Sequence, residues 1–568
     1  MNRRKNLAAA ALWVLLLSVL LVPMAHVLSS GADAVLDQKQ AAVARALEMQ
    51  QEREKLASPV AVQTAADIET IWAIEDARQE TEEQLVTGMF KGGDVLGYDA
   101  ESRTFYCTLG MENGDEWPAF TLGARGAEGV QVVWIDDYSY DWCAEAIAEG
   151  YRYELLAYTE SEYAYIGVVF TGLPLVTIHA EGEIAMDSDV PGRATIAAAG
   201  YEPIDTAMVV HERGGGWDKL FDKWSYRLEF HELSSGGKDR KRDVSVLGME
   251  PDSDWLLLGN AAEPTTVRNK LAWDIWRDWN AGENALMVMD SELVEVFVND
   301  EYVGVYQLME RIDEQEEIER YGGNVNTDCV GRLVSAANPS EKPMWDLKPS
   351  GVDFRMEYRY EANGDAERLF ELAEDFVALY RTDEQQLDDE AFAALALERV
   401  DIEDMMNYIL FYHACTLNDN NTNNLFIYIM REEDGRYVYR HAPWDMDSAF
   451  WVLKSFEAHN TLRWPDMTVT IPTRMLELDV GGCRKILWEM WNEKRRTILS
   501  ADSLYNRFME MERFMNMSGA YRREMQKWYG NDSTLDMSEV AYYTEECLNL
   551  VRLTLEETWP VEGMMLEQ

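Results

Sequence analysis

The spacing of apolar positions changes character several times along the chain. Residues Leu7 to Ala25 are apolar except for Ser18 and Pro23, and Arg3, Arg4 and Lys5 precede them. A bilayer span needs roughly 20 apolar residues, whereas the apolar part of a signal peptide has about 7–15. Residues 1–34 are therefore expected to be a membrane anchor, or a long signal peptide cleaved near Ala32-Asp33-Ala34. In both cases the basic flank stays inside and the bulk of the chain is extracytoplasmic. The next stretch, "VLDQKQAAVARALEMQQEREKLA", has helix formers throughout and no Gly or Pro, and Ser58-Pro59 ends it. With a second polar helical stretch to about Thr87, it predicts a helical stalk over residues 35–90. From Gly93 short alternating runs such as "RTFYCTL", "VQVVWI" and "YAYIGVVF" predict a small mostly-β module over 91–171.

A new pattern begins at "GLPLVTIHAEG". A buried-type strand, a polar stretch and the strand "TAMVVHERGGG" follow one another, and strands dominate to about Tyr306 with one helix between Thr265 and Trp279. Beyond Ala366 the apolar residues recur at three- and four-residue spacing, which predicts helices. The expected architecture of residues 172–568 is thus α+β and bilobal, a β-rich lobe followed by an α-rich lobe.

Composition narrows the partners. With 103 acidic against 51 basic residues the net charge is −52. That field repels nucleic acid and attracts cations and basic polypeptides. Six cysteines without a C-x-x-C pair exclude metal-ribbon and thioredoxin chemistry. Disulfides and buried free thiols both remain open for an exported chain.

Three stretches carry candidate chemistry. In "ERGGGWDKLFDKWSYRLEFHE", Gly214, Gly215 and Gly216 permit close approach of a ligand to the backbone. In the alternating strand that follows, Trp224, Tyr226, Leu228 and Phe230 face one way, and Lys223, Ser225, Arg227 and Glu229 the other. A Lys there suits phosphate neutralisation or a solvated edge. Second, "LVEVFVNDEYVGVYQLMER" predicts a hairpin around Asn299-Asp300 ending in Glu310, a carboxylate for Lys223, for a ligand's base and sugar, or for solvent. Third, the helix "IEDMMNYILFYHACTL" enters "NDNNTNN", followed by the strand "LFIYIM", a turn, the strand "YVYRHA" and "PWDMDSAF". An antiparallel hairpin would bring Asp419 and Asn424 beside Asp445 and Asp447. Asp419 and Asn424 also have the D-x-x-x-x-N spacing of a kinase catalytic loop. Carboxylate and amide oxygens are the donors that a hard Mg²⁺ ion takes.

In this order, "GLPLVTI", "RGGG…KWSYRLEF", "VRNKLAWDI", "VEVFVNDEYVGVYQLMERI", "NDNNTNNLFIY" and "HAPWDMDSAF" resemble the CotH-type spore coat protein kinases, from about Gly172 to the C-terminus. The resemblance implies an atypical protein-kinase-like fold that uses ATP and Mg²⁺ (or Mn²⁺) to phosphorylate Ser-rich coat proteins. It implies that Lys223 holds ATP phosphates, that Asp419 and Asn424 belong to the catalytic loop, and that Asp445 or Asp447 binds metal. On the same resemblance Asp419 accepts the acceptor hydroxyl's proton, Asn424 is a metal ligand, and the other Asn residues shape the turn. Arg213, Gly214, Gly215, Arg268 and Glu310 fall on the nucleotide side. The segment "RGGGWDKLFDK" departs from relatives that have Ser or Thr soon after the Arg-Gly pair. The expected function is an exported, membrane-anchored or secreted kinase acting on Ser/Thr of a basic or Ser-rich protein. The alternative is a kinase-fold surface protein without turnover, an adhesin, scaffold or wall-binding module, whose 19 Trp and 27 Tyr would suit glycan contact.

Overall fold

A computed structural model of the chain describes residues 36–567 except 54–57, 65–66, 112–115, 136–141, 187, 215–220, 282–287, 321, 336–343, 347–353, 362–373, 382–385, 418–419, 421–423 and 451–469. The fold is mixed α+β, with four sheets among the described residues and helices concentrated toward the C-terminus. The apolar run expected to be an anchor or signal lies outside the described residues, and among the described residues no helix is long and apolar enough to cross a membrane.

The central element is an eight-stranded sheet built from residues 175–310. Its strand Ile204–Arg213 pairs on one side with Val190–Ala197 and on the other with Ser225–Leu233. The sheet therefore closes on itself as a barrel of seven strands, and the short Asp239–Lys241 strand is left outside as an edge. The strand pattern explains the closure. Tyr226, Leu228 and Phe230 meet Val176, Met208, Trp255, Leu257 and Tyr306 in one buried cluster inside the ring. Arg227 and Glu229 alternate to the outside. The predicted hairpin is present, with Val298 opposite Glu301 and only Asn299 and Asp300 between them. Both turn residues lie in the left-handed region, φ 48° and 64°. A two-residue turn of this hand matches the twist of the strands, and Asn and Asp tolerate it better than most residues.

Each outer face of the barrel has its own cover. Leu256, Leu258, Leu293, Val305 and Met309 join the large core of the C-terminal helices. Leu175, Phe297 and Tyr302 pack on Tyr106 and Val169 of the preceding β-rich module. Ala207 and Val209 lie against Ala42, Val43, Ala46 and Leu47 of the helix over 36–53.

The last contact changes the picture of a free stalk. The 36–53 segment is helical, but its small apolar face is buried on the barrel, and Lys39 pairs with Glu229 at 2.8 Å. Among its described residues the second stretch holds one helix, Ile68–Asp76, capped by the Asp67 carboxylate. Around it, Val60–Ala61, Gln63–Thr64 and Gln79–Glu80 are strands that join the two sheets of the module. Two-residue strands carry no periodicity, so the module extends further toward the N-terminus than the apolar pattern showed. The C-terminal part likewise contains a five-stranded sheet in which Cys329–Ser335 pairs with both Phe354–Glu361 and Leu425–Arg431. All six cysteines are buried, and none is joined in a disulfide. Burial pushes the Cys107 thiol up to about 12 and Cys143 up to about 11, which keeps both unreactive.

Glu229 is 4% exposed and also receives His231 Nε2 at 2.9 Å and Lys241 at 3.2 Å. Burial opposes its charge, yet the hydrogen bonds from His231 and Lys39 and the charges of Lys39 and Lys241 hold the carboxyl well below its ordinary value of 4.5. A depressed carboxyl contributes stability that is present above the unfolded value and lost as pH falls through the folded one. Glu229→Gln should cost about 1.5–3 kcal/mol at pH 7 by urea denaturation, the worth of charge-assisted hydrogen bonds. The gap to wild type should narrow as pH falls below 4.5. A gap that stays constant down to strongly acid pH would show that the charge of Glu229 contributes nothing.

Candidate active site

The hairpin Leu425–Arg431/Tyr437–Pro443 is in register with Leu425 opposite Pro443. One step beyond that pair, the Trp444 amide donates to the Asn424 carbonyl at 3.0 Å. The segments on either side of the hairpin are thus drawn together at one end. Asn424 and Asp445 both leave it in the left-handed region, φ 52° and 53°. Asn and Asp are the non-glycine residues that adopt this conformation most readily.

Asn420 ties the two segments. Its side chain is fully buried, and its amide donates to the Asn424 carbonyl at 3.2 Å and to the Trp444 carbonyl at 2.6 Å. Its own carbonyl accepts from the Tyr408 hydroxyl at 2.6 Å, which fixes the loop to the helix Ile402–Ala414. Asp419 lies outside the described residues, between this tie and the end of that helix.

The D-x-D segment alternates. Met446 is buried, while Asp445 is exposed and Asp447 half-buried. Asn269 Oδ1 accepts the Met446 amide at 3.0 Å, and Arg268 donates to the carbonyls of Phe450 and Ala449. Arg268 also lies 3.6 Å from the buried Glu263. Its contacts therefore fasten the loop after the hairpin to the first turn of the helix Arg268–Trp279. Asn424 Oδ1 accepts from Arg332 Nη2 at 3.1 Å, and Arg332 comes from the strand Cys329–Ser335.

Arg213, which precedes the Gly-rich segment, approaches the same place. It pairs with Ser225 across the barrel hairpin, at the end of the strand that leads into the Gly-rich segment. The Arg213 guanidinium sits 5.8 Å from the Trp444 ring, next to Asp445. Gly214 adopts φ 141°, whereas Gly215 lies outside the described residues.

Lys223 is 4% exposed. Its Nζ donates to Glu524 Oε1 at 2.6 Å and to the Val305 carbonyl at 2.7 Å. Burial pulls the ammonium down and pushes the Glu524 carboxyl up, each opposed by the partner's charge. The carboxylate for Lys223 is thus not Glu310. That residue caps the backbone, accepting from the Glu250 and Asp290 amides at 3.2 and 3.1 Å, and burial raises its carboxyl.

The structure therefore brings Asn424, Asp445, Asp447 and Arg213 to one end of the hairpin, holds Arg268 behind them, and sets Glu310 apart as a backbone cap. Three residues had no signal in the sequence pattern. Arg332 lies in an ordinary apolar strand. Asn269 looks like any helix residue. Glu524 reaches Lys223 from 301 residues downstream, a distance no local spacing encodes.

The family model described as CotH kinase protein matches residues 210–551. That stretch begins in the barrel strand before the Gly-rich turn and ends in the last helix, so it contains every residue of the site. No curated protein matches the chain.

Asn420→Ala should cost about 1–3 kcal/mol by urea denaturation, since the Trp444 carbonyl loses the Asn420 amide and the Asn424 carbonyl keeps only the Trp444 amide. Asn420→Asp should be at least as costly, because a carboxylate cannot donate to two carbonyls. Wild-type stability in both variants would contradict the tie.

Proposed function

The chain belongs to the CotH kinase protein family, and from that premise we propose that it is an atypical protein-kinase-like enzyme. It would transfer the γ-phosphoryl group of ATP to Ser or Thr hydroxyls of a surface or secreted protein. One observation supports the reading most: the hairpin and the Asn420 tie gather Asn424, Asp445 and Asp447, from two segments of the chain, beside Arg213. In this reading the barrel and the helical region act as the two lobes. The apolar run Leu7 to Ala25 behind a basic flank supports a location of both outside the cytoplasm. With its net charge of −52 the chain would favour a basic partner.

The residues present fit a divalent cation held jointly with a nucleotide. Among the described residues no three His, Cys, Asp or Glu side chains gather into a metal cage. Mg²⁺ is commonly held by one or two carboxylates plus phosphate oxygens, and Asp445 with Asp447 supplies that number. Asn424 adds an amide oxygen whose orientation Arg332 sets. When bound, the cation would neutralise charge on the phosphates. Asp419 would accept the proton of the acceptor hydroxyl as its oxygen attacks the γ-phosphorus and the bond to ADP breaks. Lys223 would supply positive charge on the nucleotide side.

One observation favours the second reading, a kinase-fold surface protein without turnover: the Lys223 ammonium is buried and already holds two protein partners. An ammonium has a third donor, so the two readings diverge in what nucleotide does to the protein.

The test is the full chain with γ-labelled ATP and Mg²⁺ or Mn²⁺, scored for self-labelling and for transfer to a Ser-rich basic peptide. Asp445→Ala or Asp447→Ala should weaken metal-dependent ATP binding by about tenfold or more. Asp419→Asn should lower kcat by about 10²–10⁴ with nearly unchanged nucleotide affinity. Wild-type protein that binds no Mg–ATP and labels nothing would leave the surface-protein reading standing.

A further inference from the structure

The β-rich module over residues 60–171 has no role in the reading above. We propose that it positions Lys223, acting through the helix Ala520–Tyr529. For its consequence in nucleotide binding, the inference rests on the role proposed for Lys223.

The helix is gripped from two sides. On the module side, Ser518 O accepts the Gly172 amide at 3.2 Å, Arg522 pairs with Glu149 at 3.1 Å, and Arg523 donates to Thr171 Oγ1 at 2.8 Å. Gly519 lies so close that a Cβ there would fall 2.1 Å from the Ile147 carbonyl oxygen, and its φ of 69° also favours glycine. On the barrel side, two adjacent residues of opposite charge enter buried positions. Arg523 pairs with the fully buried Glu295 at 2.7 Å, and Glu524 pairs with Lys223 at 2.6 Å.

The barrel is shaped to receive them. The strand Asp254–Leu258 pairs with Glu301–Glu310 only as far as Gln307, so the Val305 amide and carbonyl two residues on are not used in that ladder. The Val305 amide donates to Glu524 Oε2 at 2.7 Å, while its carbonyl receives Lys223. A Cβ on Gly304 would fall 2.2 Å from the same Oε2. The Lys223 ammonium is therefore located by a carboxylate whose helix is fixed by Thr171, Ile147 and Glu149. Thr171 is the joint: its hydroxyl donates to Glu295 and accepts from Arg523, so it links the end of a module strand to both charges of one pair.

Breaking a buried charge pair outright risks unfolding, so the decisive variant is Thr171→Val, which removes only the hydroxyl. Thr171→Ser is the conservative rescue, and Gly519→Ala is an independent displacement. Full-length protein would be treated with an amine-acylating reagent under native conditions, and modification of Lys223 followed by mass spectrometry against the exposed Lys238. In Thr171→Val and Gly519→Ala, Lys223 should acylate roughly three- to tenfold faster than in wild type, the factor set by one lost buried hydrogen bond. Thr171→Ser should label at the wild-type rate. The melting-temperature rise given by Mg–ATP should shrink in parallel with the labelling change. Wild-type labelling of Lys223 in folded Thr171→Val and Gly519→Ala would overturn the inference. If labelling rises as expected but wild-type protein gains no thermal shift from Mg–ATP, the module still positions Lys223, and it is the kinase reading that falls.

Discussion

Closure of the barrel is the constraint on which the other arrangements rest. A closed ring of strands has an inside that fills with its own side chains and an outside that must be covered all round. The interior takes Trp255, Tyr306, Phe230 and their neighbours. The outside then needs a helical core on one face, a β-rich module on another and the 36–53 helix on a third. No single partner can cover a cylinder, so segments from both ends of the chain converge on it. Burial of apolar area on each face contributes on the order of 25 cal/mol per Å².

The same closure accounts for where polar groups are buried. The outer face of Ser225–Leu233 carries Arg227 and Glu229, and just before it Lys223 lies under the helix Ala520–Tyr529. A charge taken out of water is tolerated only when it is paired and its remaining donors are satisfied. Lys223 meets that condition through Glu524 and the Val305 carbonyl. Glu295 meets it through Arg523, Tyr302 and Thr171. The end of the Asp254–Leu258 strand opposite Gln307 is what leaves the Val305 amide and carbonyl for this network, since a longer strand would have used them in the ladder.

At the hairpin end the economy is different. Two left-handed residues, a buried amide and a set of loop carbonyls hold the oxygen-bearing segments at a common place. Asn269 and Arg268 contribute from a helix that packs on the barrel, so the positions of Asp445 and Asp447 depend on how the barrel meets the helical region. The candidate chemistry belongs to neither part alone.

Local order was legible in the chain. Strict alternation from Lys223 to Glu229 assigned inside and outside faces, Asn299-Asp300 marked a two-residue turn, and the apolar runs around "NDNNTNN" specified helix, hairpin and the joining of its ends. These follow from the period of two along a strand and the steric tolerance of Asn and Asp, which act between neighbours. Closure of the sheet, the docking of the 36–53 helix and the partner of Lys223 were not legible. Alternation looks the same in an open and in a closed sheet, and a helix with a small apolar face does not say what covers it. The Lys223 pair is set by tertiary structure alone: Glu524 is one of many carboxylates in an acidic chain, and only the packing of its helix between Thr171 and the Val305 backbone makes it the one that meets the lysine.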